Sequence, residues 1–237
     1  MLIKTKAIVI STTKYQDKSL IVKCLTKSEG IKTYFVHNAF TGKNNKQKNA
    51  FFQPLNQIEI EAYHKNKGGL ERFKEVKLYY TYQSIYLDIV KTTIILFLSE
   101  ILHNTIKEEG KNEALFDYLE NALQLFDNQN EVVNFHLILL LQLTKYLGFY
   151  PQNNTSDNKY FNSKEGIFLS HNSIQSLSID ESILLKKLLD LKINSTENIF
   201  TASQRRLLLK ILIDYYSHNI ENSKPIKSID ILTQIFD

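Results

Sequence analysis

Cysteine is nearly absent: Cys24 stands alone among 237 residues, which excludes an internal disulfide and any zinc site built on several cysteines. Seven glycines are present, and none forms a Gly-rich phosphate loop; Gly42-Lys43 lacks the upstream glycine such a loop needs. Arginine is scarce, three against 26 lysines, so lysine placement carries more information than lysine number. No long apolar run occurs. The most apolar uncharged stretch, Val132 to Thr144, contains Asn134, His136 and Gln142 and is too short for a bilayer. Met1 to Lys6 does not read as a signal peptide. These absences lead to the expectation of a cytoplasmic protein in a reducing compartment.

Hydrophobic residues at 43% and charged residues at 23% are those of a globular chain with enough apolar mass for a core. The net charge of +4 hides an uneven distribution. Residues 1–80 hold fifteen basic and six acidic residues, net +9; residues 81–237 hold fourteen and nineteen, net −5. That asymmetry predicts two domains, 1–80 and 81–237, with different partners.

The first 80 residues carry strand patterns. Leu2 to Ile10 is rich in β-branched residues, and Ser19 to Leu25 alternates, with Leu20, Val22 and Cys24 on one face. Ser28-Glu29-Gly30 signals a turn into Ile31 to His37. A polar loop, Thr41 to Asn49, precedes Gln57 to Tyr63, and a fifth strand covers Leu70 to Tyr79. Five short strands predict a small barrel, either the oligonucleotide-binding (OB) fold or an SH3-like barrel, which periodicity does not separate. The predicted class is α+β: this barrel, then a helical domain with a small β-hairpin.

After Tyr80 the period becomes helical. Helices are expected over Lys91 to Lys107, Asn112 to Phe126, Asn130 (as N-cap) to Leu147, Asp180 to Leu191, Ser203 to Ile220 and Ser228 to Phe236. Gly148 and Pro151 end the third. A hairpin insertion near 148–170 turns at Lys164-Glu165-Gly166.

Catalytic signatures are missing, so no catalytic residue and no cofactor is assigned. The six histidines lack ligand spacing; His136 on an apolar helix reads as a core histidine rather than a ligand. Cys24, in an apolar strand, reads as an inert thiol. Glu108-Glu109 and Asp180-Glu181 read as helix-end charges. The basic front half carries the functional signal. Lys4 and Lys6 share a strand face. Lys32 and Tyr34 share another, where a base would stack on the ring. Tyr15 lies between Lys14 and Lys18 in an expected turn, and Phe40 opens the loop holding Lys43, Lys46 and Lys48. These eleven residues are the candidate DNA contacts, against the alternative of a lysine-rich surface over core aromatics. Arg205, Arg206 and Lys210, at the start of a late helix, are candidates for an acidic partner tail, against ordinary helix surface.

Several segments resemble the RecO family. They are Lys6 to Ile10 with Lys14-Tyr15 and Asp17, Thr26 to Gly30, the basic loop before Gln53-Pro54-Leu55-Asn56, and Leu96 to Leu102. Leu115-Phe116, Leu147 to Pro151 and Lys227 to Leu232 continue the match in order along nearly the whole chain. The resemblance implies an OB barrel on a helical domain. It also implies binding to single- and double-stranded DNA, annealing of complementary strands, and help in loading RecA onto coated single strands. Implied partners are RecR and the acidic C-terminal tail of single-stranded DNA-binding protein. Many members carry a four-cysteine zinc site after the segment matched by Leu147 to Pro151. Here that region has no cysteine, so no metal is expected and the hairpin should be held by packing. A different reading is an interaction adaptor whose barrel binds protein without direct DNA contact.

Overall fold

The computed structural model describes residues 1–40, 49–65, 68–107, 110–152, 158–221 and 224–235. Five strands open the chain: β1 (Leu2–Tyr15), β2 (Ser19–Thr26), β3 (Gly30–Val36), β4 (Gln57–Tyr63) and β5 (Arg72–Leu78). They form one antiparallel sheet in the order β3-β2-β1-β4-β5. The two edges then meet. Tyr34 and Glu71 form a parallel bridge, in which the Phe35 N–H donates to the Glu71 carbonyl at 2.9 Å and the Glu71 N–H to the Thr33 carbonyl at 2.8 Å. A parallel closure between the third and fifth strands of a five-stranded Greek-key sheet is the OB arrangement, which resolves the choice left open by periodicity.

Alternation decides what fills the barrel. Ala7 and Val9 of β1, Leu20, Val22 and Cys24 of β2, and Ile58, Ile60 and Ala62 of β4 form one buried cluster with Tyr34 and Phe52. A register shift between Val9 and Ser11 marks a bulge in β1, the central strand of the sheet. Its outward residues Ile8 and Ile10 are equally buried, because helices cover that face. Ser99 of α1 (Ile89–Thr105) donates to the Ile10 carbonyl at 2.7 Å, and Gln57 donates to the Glu120 carbonyl of α2 (Glu113–Asn128) at 3.0 Å. The first compact unit therefore runs from Met1 to Asn128, whereas the change of period falls near residue 80.

The junction from β5 to α1 is held by one buried carboxylate. Asp127 accepts from the N–H groups of Gln83, Ser84 and Ile85 at 2.8, 2.9 and 3.1 Å. Burial alone would raise it, but these hydrogen bonds win and hold it below the ordinary aspartate value. Lys91, 4% exposed, donates to Ser84 Oγ at 2.6 Å and to the Asp127 carbonyl at 2.9 Å.

The second unit, Gln129–Asp237, contains α3 (Phe135–Leu147), the hairpin β6 (Tyr160–Asn162) and β7 (Ile167–Leu169), α4 (Ile179–Leu189), α5 (Ala202–Asn219) and α6 (Ile229–Ile235). Helix α3 starts later than expected: Asn134, not Asn130, is its N-cap, and Gly148 ends it in the left-handed region at φ 87°. Capping boxes start α4 at Ser178/Glu181 and α5 at Thr201/Gln204. The hairpin is packed through Phe161, whose ring centroid lies 4.9 Å from Phe168 and 5.4 Å from Tyr215. Its turn needs Gly166 (φ 69°), since a Cβ there would strike the Tyr215 hydroxyl.

His136 is fully buried in α3. Desolvation, and then the nearby Arg205 charge, lower its pKa to about 3. The folded state therefore keeps this ring neutral, while the unfolded chain takes a proton below about pH 6.5. Stability of this unit should fall as pH drops from about 6.5 towards 3, and His136→Leu should flatten that slope in thermal melts. An unchanged slope in the variant would remove His136 as its source.

Candidate nucleic-acid interface

The closure at Tyr34 and Glu71 is a single bridge, and past it β3 and β5 separate. The gap is a cavity of about 360 Å³ lined by Phe35, Val36 and His37 from β3 and its exit, and by Arg72 to Val76 from β5. Ala39, Asn49, Phe51 and the buried Phe52 of a short 3-10 turn complete it. Phe73 is stacked with Tyr34, centroids 4.1 Å apart at 15°, and with Phe52, 5.4 Å at 17°. At the rim Phe35 meets His37 edge-on at 4.4 Å and Tyr15 at 5.7 Å. Lys14 Nζ lies 5.8 Å from the Phe40 centroid. Asn49 Nδ2 donates to the Ala39 carbonyl at 2.7 Å, tying together the two sides of the segment that joins Phe40 to Asn49. Lys43, Lys46 and Lys48 lie in that segment, outside the described residues, as do Glu108 and Glu109.

The structure divides the expected contact residues. Lys14 and Tyr15 end β1, paired with Leu20 and Ser19, rather than sitting in a turn; the turn is Gln16 to Lys18. Tyr15 and Phe40 are 44% and 41% exposed, and Lys14 and Lys18 are exposed beside them. Tyr34 requires correction. It is 0% exposed, and its hydroxyl lies 2.9 Å from His64 Nε2, so no base can stack on it. Burial pushes its pKa far up and lowers that of His64. Lys32 lies on the other side of the closure, lining a second cavity of about 540 Å³ with Thr33, Gly68 and Gly69.

Lys4 and Lys6 occupy a charge-compensated surface. Lys4 Nζ is 3.0 Å from Glu59 Oε1, which also meets Lys77 at 3.3 Å, and Lys74 pairs with Glu61 at 2.9 Å. The hydrogen bond from Lys4, above all, holds the Glu59 carboxyl below the usual range. Lys6 pairs with Glu120 of α2 at 3.0 Å and sits 3.6 Å from the centre of the Tyr79 ring. Lys27 meets Asp117 at 2.8 Å. The acidic helices thus offset part of the barrel's charge: residues 1–128 hold eighteen basic and fourteen acidic residues, net +4, and residues 129–237 hold eleven of each. Lys14, Lys18 and Arg72 have no ion-pair partner among the described residues; Arg72 lines the aromatic cleft, and Lys14 lies near Phe40, the neighbour of the lining residue Ala39. Phe35, His37, Phe51 and Arg72 were not singled out from sequence.

In the second unit Arg205 is committed to its own fold. One guanidinium nitrogen, Nη1, donates to Asn198 Oδ1 at 2.8 Å and to the Phe200 carbonyl at 2.6 Å. Arg205 is half-buried, and part of its donor set serves its own unit. Arg206 and Lys210 are exposed on α5.

A closed five-stranded barrel with a cation-flanked aromatic cleft belongs to the architectural class whose members bind oligonucleotides and oligosaccharides on loops and one exposed face. Two family models then account for most of the chain: Recombination protein O N terminal over residues 1–82 and Recombination protein O C terminal over residues 86–228. The chain is 54% identical over 237 residues to the DNA repair protein RecO of Flavobacterium psychrophilum. It is 55% identical over 236 residues to that of Flavobacterium johnsoniae and 39% over 241 to that of Christiangramia forsetii, each match covering both chains completely. The chain belongs to the RecO family of DNA repair and recombination proteins. Among the described residues no helix is long and apolar enough to cross a membrane.

The contrast between neighbours in β3 is testable. Tyr34→Ala should lower stability by about 3–5 kcal/mol, as for other buried aromatics, whereas half-buried Phe35→Ala should cost less than half of that. Urea unfolding of the two variants checks which ring belongs to the core.

Proposed function

We propose that this RecO-family chain is a DNA-binding recombination mediator that acts without bond chemistry in the cytoplasm. It would bind single and double strands, anneal complementary strands, and assist RecA loading onto single strands coated by single-stranded DNA-binding protein. The observation that carries the reading is the aromatic cleft lined by Arg72, with Lys14 near it, on an OB barrel where Lys4, Lys6, Lys27, Lys74 and Lys77 are ion-paired. Phosphates supply the attraction, and aromatic rings accept bases without demanding a sequence. Annealing needs two like-charged strands screened by one cationic surface. Lys43, Lys46 and Lys48, which in sequence lie between Phe40 and Asn49, remain proposed DNA contacts on their charge.

RecR is a proposed protein partner. The acidic tail of single-stranded DNA-binding protein is proposed to meet the exposed basic residues Arg206 and Lys210 of α5. Opposite charge steers such an encounter.

Binding of the full chain to single-stranded DNA should weaken with salt. Five neutralised phosphates would give a log–log slope of about −3.5. Lys14→Glu with Arg72→Glu should reduce both affinity and slope, while Lys4→Gln should leave affinity within about twofold. Fluorescence anisotropy at several salt concentrations measures all three. A salt-independent affinity, or a Lys4→Gln loss equal to the double reversal, would move the site away from the cleft.

A further inference from the structure

We propose that the cleft between β3 and β5 captures one unpaired nucleobase, so that the barrel holds single strands by an inserted ring in addition to phosphate charge. This rests on the DNA-binding reading and specifies the ligand of that same site.

Three features converge on a flat aromatic guest with an anionic backbone. The first is the aromatic lining. Phe73 is fixed by its stacking with Tyr34 and Phe52, and Phe35 by its edges on Tyr15 and His37. Half-buried Phe51 faces the same space. Rings already immobilised lose little freedom when a base stacks on them, which is why preorganised aromatics bind well. The second is size. A cavity of about 360 Å³ is at the small end of the ~300–1,000 Å³ typical of small-molecule pockets. The third is polarity. Arg72 lines the cleft without an ion-pair partner among the described residues, while Lys74 is paired with Glu61 and Glu75 is the one carboxylate among the lining residues. Asn49, whose amide Nδ2 is held by the Ala39 carbonyl at 2.7 Å, adds a fixed polar side chain to the lining.

A duplex cannot supply this guest cheaply. Its bases are covered on both faces and paired along one edge, so insertion requires extrusion of a nucleotide. A single strand exposes faces and edges at once. The cleft therefore discriminates unpaired from paired DNA, a distinction that lysines at the surface cannot make.

The test compares three probes of equal length on the full chain: a thymine-bearing single strand, the same strand with a central run of abasic sites, and a duplex. The wild-type chain should favour the thymine strand over the abasic strand by about tenfold, the stacking contribution of one base. Phe35→Leu with Phe51→Leu keeps apolar volume but removes the ring faces. It should retain abasic-strand affinity and lose most of the preference. Should the double variant melt at low temperature, Phe35→Leu alone makes the same comparison. Equal wild-type affinity for thymine and abasic strands, or an undiminished preference in the variants, overturns base capture while phosphate binding stands. Failure to bind any probe at low salt overturns the DNA reading and this inference with it.

Discussion

The parallel bridge between Tyr34 and Glu71 is the contact on which the functional geometry depends. Among the described residues it closes the barrel with two main-chain hydrogen bonds. A longer ladder would zip β3 to β5 and leave no cleft; no bridge would leave an open edge liable to pair with other chains. The bridge is backed from inside by the Tyr34, Phe73 and Phe52 rings and by the Tyr34–His64 hydrogen bond. Glu71 itself is buried, its carboxylate accepting from the Lys65 N–H at 2.8 Å, which pins the approach to β5. Closure and cleft are thus two results of one short pairing.

Charge is organised on a second principle, local neutralisation. Read by halves, the chain is +9 then −5, which suggests a cationic barrel beside an anionic helical body. In the fold the first two helices belong with the barrel, and their carboxylates meet its lysines: Lys6 with Glu120, Lys27 with Asp117. Exposed pairs of this kind add little stability. Their effect is to neutralise lysines on that side of the barrel, whereas Arg72 in the cleft lining has no ion-pair partner among the described residues.

Much of the fold was legible in the sequence. Alternation located β4 to the residue, and the Gly148 stop of α3 was visible because a left-handed C-cap favours glycine. Asp180-Glu181 read as helix-start charge, and Glu181 is indeed half of a capping box. The change of period near residue 80 lies close to where the two family models divide the chain, between 82 and 86, while the first compact unit continues to Asn128 because helices fold back onto the outer face of β1. Tyr34 was misplaced because both faces of β3 carry apolar residues. The signal that places it was available: the turn at Lys27 to Glu29 pairs Thr26 with Gly30, and that register sets Tyr34 opposite Val22 on the inward face. Phe35, Phe51 and Arg72 gave no such signal, since β3, the 3-10 turn and β5 are brought together only by tertiary closure of the barrel. The contacts of Arg205 within its own unit were not legible because its acceptors, Asn198 and the Phe200 carbonyl, lie in an irregular segment without periodicity.

The central claim is that nucleic acid contacts the barrel at the β3–β5 cleft. Photocrosslinking a bromouracil-containing single strand to the full chain, followed by peptide mapping, addresses it most directly. The account predicts adducts concentrated at Tyr15, Phe35, His37 and Phe51. Adducts concentrated instead on the paired surface around Lys4 and Lys77, or in residues 129–237, would contradict it.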